Sequence, residues 1–141
     1  MAYGLRRSDL RAMEQAKIQG AILLLENGRY SNAYYLAGYA VEIGLKACIA
    51  TQVIAETIPS PEFLKNVLNH DFPKLVGLAG LATELKEQKD KDSEFAANWA
   101  IVSEWSVETR YETRDPMSAQ IMIQAVCDPK SGVLEWTKKF W

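Results

Sequence analysis

The 141-residue chain is long enough to bury a core without staples, and 48% hydrophobic against 24% charged residues excludes a disordered polymer. A formal net charge of −2 excludes a globally basic nucleic-acid binder, so any basic surface must be local. Two cysteines, Cys48 and Cys127, lie far apart inside apolar runs, a pattern of free thiols in a reducing compartment and not of a disulfide framework.

The opening residues MAYGLRRSDLRAMEQ carry charge early and lack the apolar run of a secretory signal. No window holds about 18 uninterrupted apolar residues, so no membrane span is expected. A cytoplasmic single domain spanning residues 1–141 is the expectation.

In chain order, Ser8 or Asp9 can cap a first helix that runs through AILLLEN and stops at Gly28. A long second helix is expected from Tyr30 to about Glu56, ending before Pro59. Ser60-Pro61-Glu62 pairs an N-cap with proline at the first helical position and opens EFLKNVLN. Asp71 then caps FPKLVGLAGLATELKEQ, which fades into the charged run KDKDSE. Another helix is expected from Ser93 through FAANWAIVSEWSVETRY. Asp115-Pro116 and Asp128-Pro129 repeat the cap-plus-proline signature before MSAQIMIQAV and GVLEWTKKFW. Nothing alternates with period two over a useful length, so the fold class is all-α, a bundle of about five to six helices.

The second helix holds a stripe of small residues, Ala33, Ala37, Ala40, Gly44 and Ala47, spaced four, three, four and three apart. At about 100° per residue these fall within roughly 80°, a seam along which another helix can approach closely. Apolar residues border the seam on both sides, which makes this a central helix. The one polar face carries Tyr35, Tyr39, Glu42 and Lys46, beside or just beneath the surface.

Glu42 and Lys46 form an i, i+4 pair in the favourable orientation, worth about 0.2–0.5 kcal/mol on an exposed helix. A second reading has Glu42 meeting a cation from elsewhere, with Arg110 of WSVETRYETRD the leading candidate. Arg110 followed by Tyr111 suits an anion site, since guanidinium offers a planar fork of donors; equally, Arg110 can cap helical carbonyls while Trp105 and Tyr111 pack inside. His70, the single histidine, stands beside the capping Asp71 and reads either as structural or as an acid–base group. It cannot form a metal site alone, and no Walker loop, GxGxxG or HExxH is present. No metal or cofactor is expected.

Three segments together resemble the HEPN family. Tyr30-Ser31-Asn32-Ala33-Tyr34-Tyr35-Leu36-Ala37, with Ala40-Val41-Glu42 and Leu45-Lys46-Ala47, is similar to the long second helix of those domains. Asn69-His70-Asp71-Phe72-Pro73-Lys74-Leu75 resembles the family's H-D-L-x-x-L entry to its third long helix. Trp105 through Tyr111 looks like its W-x-x-x-x-R-Y helix end. The resemblance covers roughly residues 8–127.

It implies an up-and-down helical bundle that commonly dimerises, binds nucleotides or cleaves RNA without metal, and often works beside a minimal nucleotidyltransferase. It also implies Tyr35, Glu42, Lys46, His70, Arg110 and Tyr111 as ligand-binding candidates, with Glu42 and Lys46 organising Arg110 and Tyr111 into an anion-facing cleft. The ribonuclease members place a histidine four to six residues after an arginine. After Arg110 this chain has Arg114, Asp115 and Pro116 there, none a neutral base at pH 7. A non-catalytic module binding a nucleotide, RNA or a partner protein is therefore the first expectation. The alternative is a ribonuclease toxin of a toxin–antitoxin or defence system, with His70 as base and Arg6, Arg7, Arg11, Arg110 and Arg114 as a basic patch.

The tail VLEWTKKFW sets Val133, Trp136 and Phe140 on one helical stripe. That stripe docks either on the protein's own bundle or on a second copy.

Overall fold

The computed structural model describes residues 4–141, so the first three residues of the expected 1–141 domain lie outside the described residues. Those residues form α1 (Arg7–Glu26), α2 (Tyr30–Ala50), α3 (Pro61–Val67), α4 (Phe72–Leu78), α5 (Ala82–Lys91), α6 (Ser93–Val102), a 3₁₀ turn (Val107–Tyr111), α7 (Pro116–Cys127) and α8 (Val133–Thr137). The all-α expectation holds for the described residues. The count is eight α-helices among them, not five to six.

The proline-marked starts behave as their chemistry requires. Ser60 accepts from Phe63 N–H, Asp71 from Lys74 N–H and Asp115 from Ser118 N–H, each with proline in the first helical turn. The departures lie elsewhere. α1 begins at Arg7, ahead of Ser8 and Asp9, with the Asp9 carboxylate accepting Arg6 N–H at 3.4 Å. α2 stops at Ala50, six residues early, because Thr51 turns back and its hydroxyl donates to Cys48 O at 2.6 Å.

The long segment after Asp71 breaks into α4 and α5 at Gly80, which takes φ +71°, a left-handed conformation that favours glycine. α6 ends at Val102, so Arg110 and Tyr111 lie in the 3₁₀ turn and not at the end of a long helix. Asp128 closes a turn, accepting Lys130 and Ser131 N–H at 2.8 and 2.9 Å, and α8 starts only at Val133.

α2 is central: it packs against α1, α4, α7, α8 and the 3₁₀ turn. The small stripe explains how so many neighbours fit. Ala33, Ala37, Ala40 and Ala47 are fully buried, and a Cβ on Gly44 would stand 3.3 Å from Thr137 Oγ1 and 3.7 Å from both Glu14 and Leu134. The seam thus admits α1 on one side and α8 on the other. The tail docks on its own bundle: Trp136 is buried, 5.6 Å from Phe95 and 6.0 Å from Trp99 between ring centroids. Both thiols are free and held protonated, Cys48 pushed up to about 12 and Cys127 to about 11 by burial.

The seam also buries Glu14 completely, with Oε1 unpartnered and Oε2 accepting from Gln15 Nε2 at 2.7 Å. Burial pushes this carboxyl up, against the lowering pull of the Gln15 bond and the Lys138 charge. A carboxyl raised in the folded state stabilises fully below its unfolded pKa, and that contribution is lost as pH rises through the folded one. Glu14→Gln is therefore expected to gain stability relative to the wild type as pH rises above about 4.5, the unperturbed value. Urea midpoints of both proteins from pH 4 to 8 check this, and a pH-independent difference contradicts it.

Gly38 carries the tightest approach. A Cβ there would lie 2.2 Å from Trp105 Cδ1, inside the indole. Alanine would add about 1 kcal/mol of helix propensity. Overpacking costs about 1–3 kcal/mol, and Trp105 is held by its stack on Phe72 and its N–H bond to Tyr35 O, so the clash wins. Gly38→Ala is expected to lower the thermal midpoint and to change the near-ultraviolet dichroism of Trp105.

Candidate functional site

A cleft of about 480 Å³ opens between the α3–α4 junction and the segment after α6, lined by Asn69 through Pro73 and Ser103 through Val107. Local chemistry builds each wall. Asn69 Oδ1 accepts from His70 N–H at 2.8 Å and from Asp71 N–H at 2.9 Å, an Asx turn that fixes the His70 backbone. Asp71 then caps α4 and delivers Phe72 into the core.

Phe72 stacks on Trp105 with centroids 5.2 Å apart and planes 6° from parallel. Trp105 Nε1–H donates to Tyr35 O of α2 at 3.1 Å, and its ring lies 5.8 Å from that of Tyr35. The indole therefore joins α2, α4 and the loop after α6 in one contact set.

Glu42 stands behind the cleft wall, 1% exposed. Its Oε1 lies 2.7 Å from His70 Nδ1 and its Oε2 accepts from Lys46 Nζ at 3.1 Å. A carboxylate beside lysine accepts, so Nδ1 carries the hydrogen and Nε2 is left free on a side chain that is 46% exposed. Tyr39 stacks on Tyr35 at 6.1 Å and keeps its phenol proton, its pKa raised by burial first and by the Glu42 charge second.

The structure thus joins four of the six residues singled out from the sequence. Glu42, Lys46 and His70 form one cluster, and Tyr35 reaches the cleft through Trp105. Arg110 and Tyr111 stand apart. Arg110 is exposed, its guanidinium 4.9 Å over the Tyr111 ring, and neither residue lines the cleft. The side chain that meets Glu42 from another element is that of His70, not Arg110, because the chain turns away into the 3₁₀ segment before Arg110 can reach α2.

The expected basic patch divides as well. Arg11 bonds the Trp141 carbonyl, Arg110 covers Tyr111, and Arg114 covers Tyr34 at 4.0 Å while pairing with Glu112 at 2.6 Å. Gly38 and Glu14 escaped sequence reasoning. A glycine inside so strongly helical a run was the available signal for the first, and an acid on the apolar face of α1 for the second.

Among the described residues, no group of three histidine, cysteine or acidic side chains is arranged to hold a metal ion, and no helix is long and apolar enough to cross a membrane. Compared with known proteins, the chain matches no family model, no curated protein and no solved structure.

The cluster is asymmetric in its dependence on solvent. Removing Glu42 lets His70 and Lys46 turn to water, whereas removing His70 leaves half of a buried carboxylate unpartnered, at a cost of about 1–3 kcal/mol. His70→Ala is therefore expected to destabilise more than Glu42→Gln in urea unfolding. The double variant should cost less than the sum of the two. Additive costs would show that the 2.7 Å contact carries no coupling.

Proposed function

We propose that the chain is a HEPN-like helical module that holds a nucleotide or a segment of a partner protein in this cleft, acts as a homodimer, and carries no ribonuclease chemistry of its own. A minimal nucleotidyltransferase is the partner that the resemblance implies. The observation that carries the reading is convergence. Three motifs far apart in the sequence meet around one cleft: His70 and Phe72 of the second and Trp105 of the third line it, while from behind the wall Glu42 of the first holds His70 and the Tyr35 carbonyl accepts from Trp105.

Against catalysis, no arginine or lysine lines the cleft, and Asp115, in the stretch where a ribonuclease base would follow Arg110, serves as the N-cap of α7. The lining instead offers Asp71, Glu104, Asn69 and two serine residues around a free imidazole nitrogen. Such a surface favours ligand groups that donate hydrogen bonds, such as a base edge or a peptide's amide and basic groups, over bare phosphates.

Titration calorimetry with ATP, AMP and a short single-stranded RNA tests the ligand. The expected outcome is heat with a nucleotide that His70→Ala reduces at least tenfold in affinity. No heat at millimolar nucleotide or RNA would remove the nucleotide half and leave the partner protein.

One contact favours a second reading, a metal-independent ribonuclease toxin. A histidine whose Nδ1 is held by a buried carboxylate presents Nε2 as an oriented base, which is how such dyads work. If this reading holds, expression arrests growth and His70→Ala restores it. Unimpaired growth with intact total RNA in vitro eliminates it.

A further inference from the structure

The strongest feature outside the cleft is the groove between α6 and α7. The two helices run antiparallel, so that Glu94 and Asp128 share one end of the groove and Glu104 and Asp115 the other. Two adjoining hollows of about 310 Å³ each make up its length, and both are lined by Ile101 and Ile121. With Met117 63% exposed and Ile121 40% exposed, the middle is apolar and open. The ends are acidic, and no lysine or arginine lines either hollow.

Neighbouring bases do not cancel this charge. From Asp92 to Asp128 the chain carries seven acids and two bases, Arg110 and Arg114, a net of −5 in a chain whose total is −2. Arg114 pairs with Glu112 at 2.6 Å, and the exposed Arg110 covers the Tyr111 ring. Lys130 and Lys139 lie close enough to Asp128 and Asp92 for their charges to be felt there. Arg29 at the start of α2 and Lys91 at the end of α5 are exposed but line neither hollow. Glu94 and Glu104 have no ion partner among the described residues.

A hidden hydroxyl points to the same place. Tyr34 of α2 is 3% exposed and lines the Glu104 end of the groove, yet its hydroxyl has no hydrogen-bond partner among the described residues. Buried hydroxyls are normally partnered, and one left over calls for a group from outside the fold. The Arg114 guanidinium covers the ring at 4.0 Å. Burial pushes the phenol's pKa up, Arg114 pulls it down, and Glu104 and Glu112 push it up, so the proton stays on. A cation brought to Glu104 finds the Tyr34 oxygen as a further acceptor.

We propose that a basic amphipathic helix of a partner protein docks in this groove, its apolar residues on Ile101, Met117 and Ile121 and its lysines or arginines at the two acidic ends. Charge complementarity chooses a basic partner. A second copy would bring the same acidic face, and under a two-fold that face meets itself. Length chooses a helix over a small cation, since Glu94 and Glu104 stand ten residues apart, about 15 Å of helical rise. Apolar anchors between charged ends are the pattern of a helix laid in a groove. The surface is distinct from the cleft and meets it at Glu104, which lines both.

Titration calorimetry with a synthetic leucine–lysine amphipathic peptide tests the proposal, beside spermidine and a leucine–glutamate peptide of the same pattern. The wild type is expected to bind the basic peptide at least about tenfold more tightly than either comparison. Ile121→Ser removes an apolar anchor and is expected to weaken binding about tenfold. Glu94→Gln weakens it severalfold. Tyr34→Phe does the same while leaving the thermal midpoint unchanged or raised, because the lost hydroxyl had no partner. Glu62→Gln, an exposed acid on α3, which packs on α4, changes nothing. Far-ultraviolet dichroism confirms that each variant is folded.

No heat with the basic peptide at millimolar concentration overturns the proposal. So does a loss in Glu62→Gln equal to that in Glu94→Gln, which marks unspecific attraction to an acidic protein. Spermidine binding as tightly as the peptide assigns the groove to free polyamines, and a wild-type dimer that Ile121→Ser dissociates in sedimentation assigns it to a second copy. Either result overturns the partner helix. A Tyr34→Phe midpoint that falls shows the hydroxyl bonded within the fold and strikes it from the site.

Discussion

Glu42 is a carboxylate with 1% of its surface left to water, on the central helix against which α1, α4, α7, α8 and the 3₁₀ turn pack. A buried charge of that kind costs several kcal/mol unless it is paired, and the pairing dictates a good deal of what surrounds it. Lys46 comes from the next turn of the same helix, so half of the requirement is met locally. The other half must come from a different element. His70 supplies it, and to do so the chain must bring the α3–α4 junction against α2, which the Asn69 turn and the Asp71 cap make possible. One carboxylate therefore ties the backbone path of residues 69–72 to the middle of α2, and the cleft forms along that tie.

A second constraint is how closely neighbours can approach α2. The Ala33–Ala47 stripe admits α1 and α8, and Gly38, outside that stripe, admits the indole of Trp105. Trp105 spends its N–H on Tyr35 O and one face on Phe72, so it is fixed on three sides. The aromatic wall of the cleft is consequently part of the core. Its rigidity comes from packing, and His70, Asp71 and Glu104 supply the polar edge.

What could be read in advance was what local chemistry decides. Ser60, Asp71 and Asp115 each cap within three residues and have proline at the first or second helical position, so those helix starts needed no tertiary information. The polar face of α2 was legible for the same reason, since period and residue type suffice to set Glu42 and Lys46 together. Helix ends were not. α2 ends where the Thr51 hydroxyl takes the Cys48 carbonyl, and the α4–α5 break depends on Gly80 adopting a left-handed conformation that Gly77, three residues earlier, does not take. The partner of Glu42 was the costlier miss. Arginine is the stronger charge and sits beside an aromatic, but the choice between Arg110 and His70 turns on which loop reaches α2, a long-range fact with no local sign.

The two buried glutamates show how the same residue type is used in opposite ways. Glu14 lies in the α1–α2–α8 seam with one oxygen unpartnered and burial pushing its pKa up, so the seam suits the protonated, neutral form. Glu42 is equally hidden yet has a lysine and a histidine on its two oxygens. Packing alone would have been served better by an apolar side chain in both places. At Glu14 the acid meets no other element through a hydrogen bond, and nothing on the surface depends on it. At Glu42 the charge orients an imidazole at the edge of an open cleft. A charge kept buried at that cost, with its effect delivered to the one exposed ring on the wall, is the feature of this fold that packing does not explain and that recognition does.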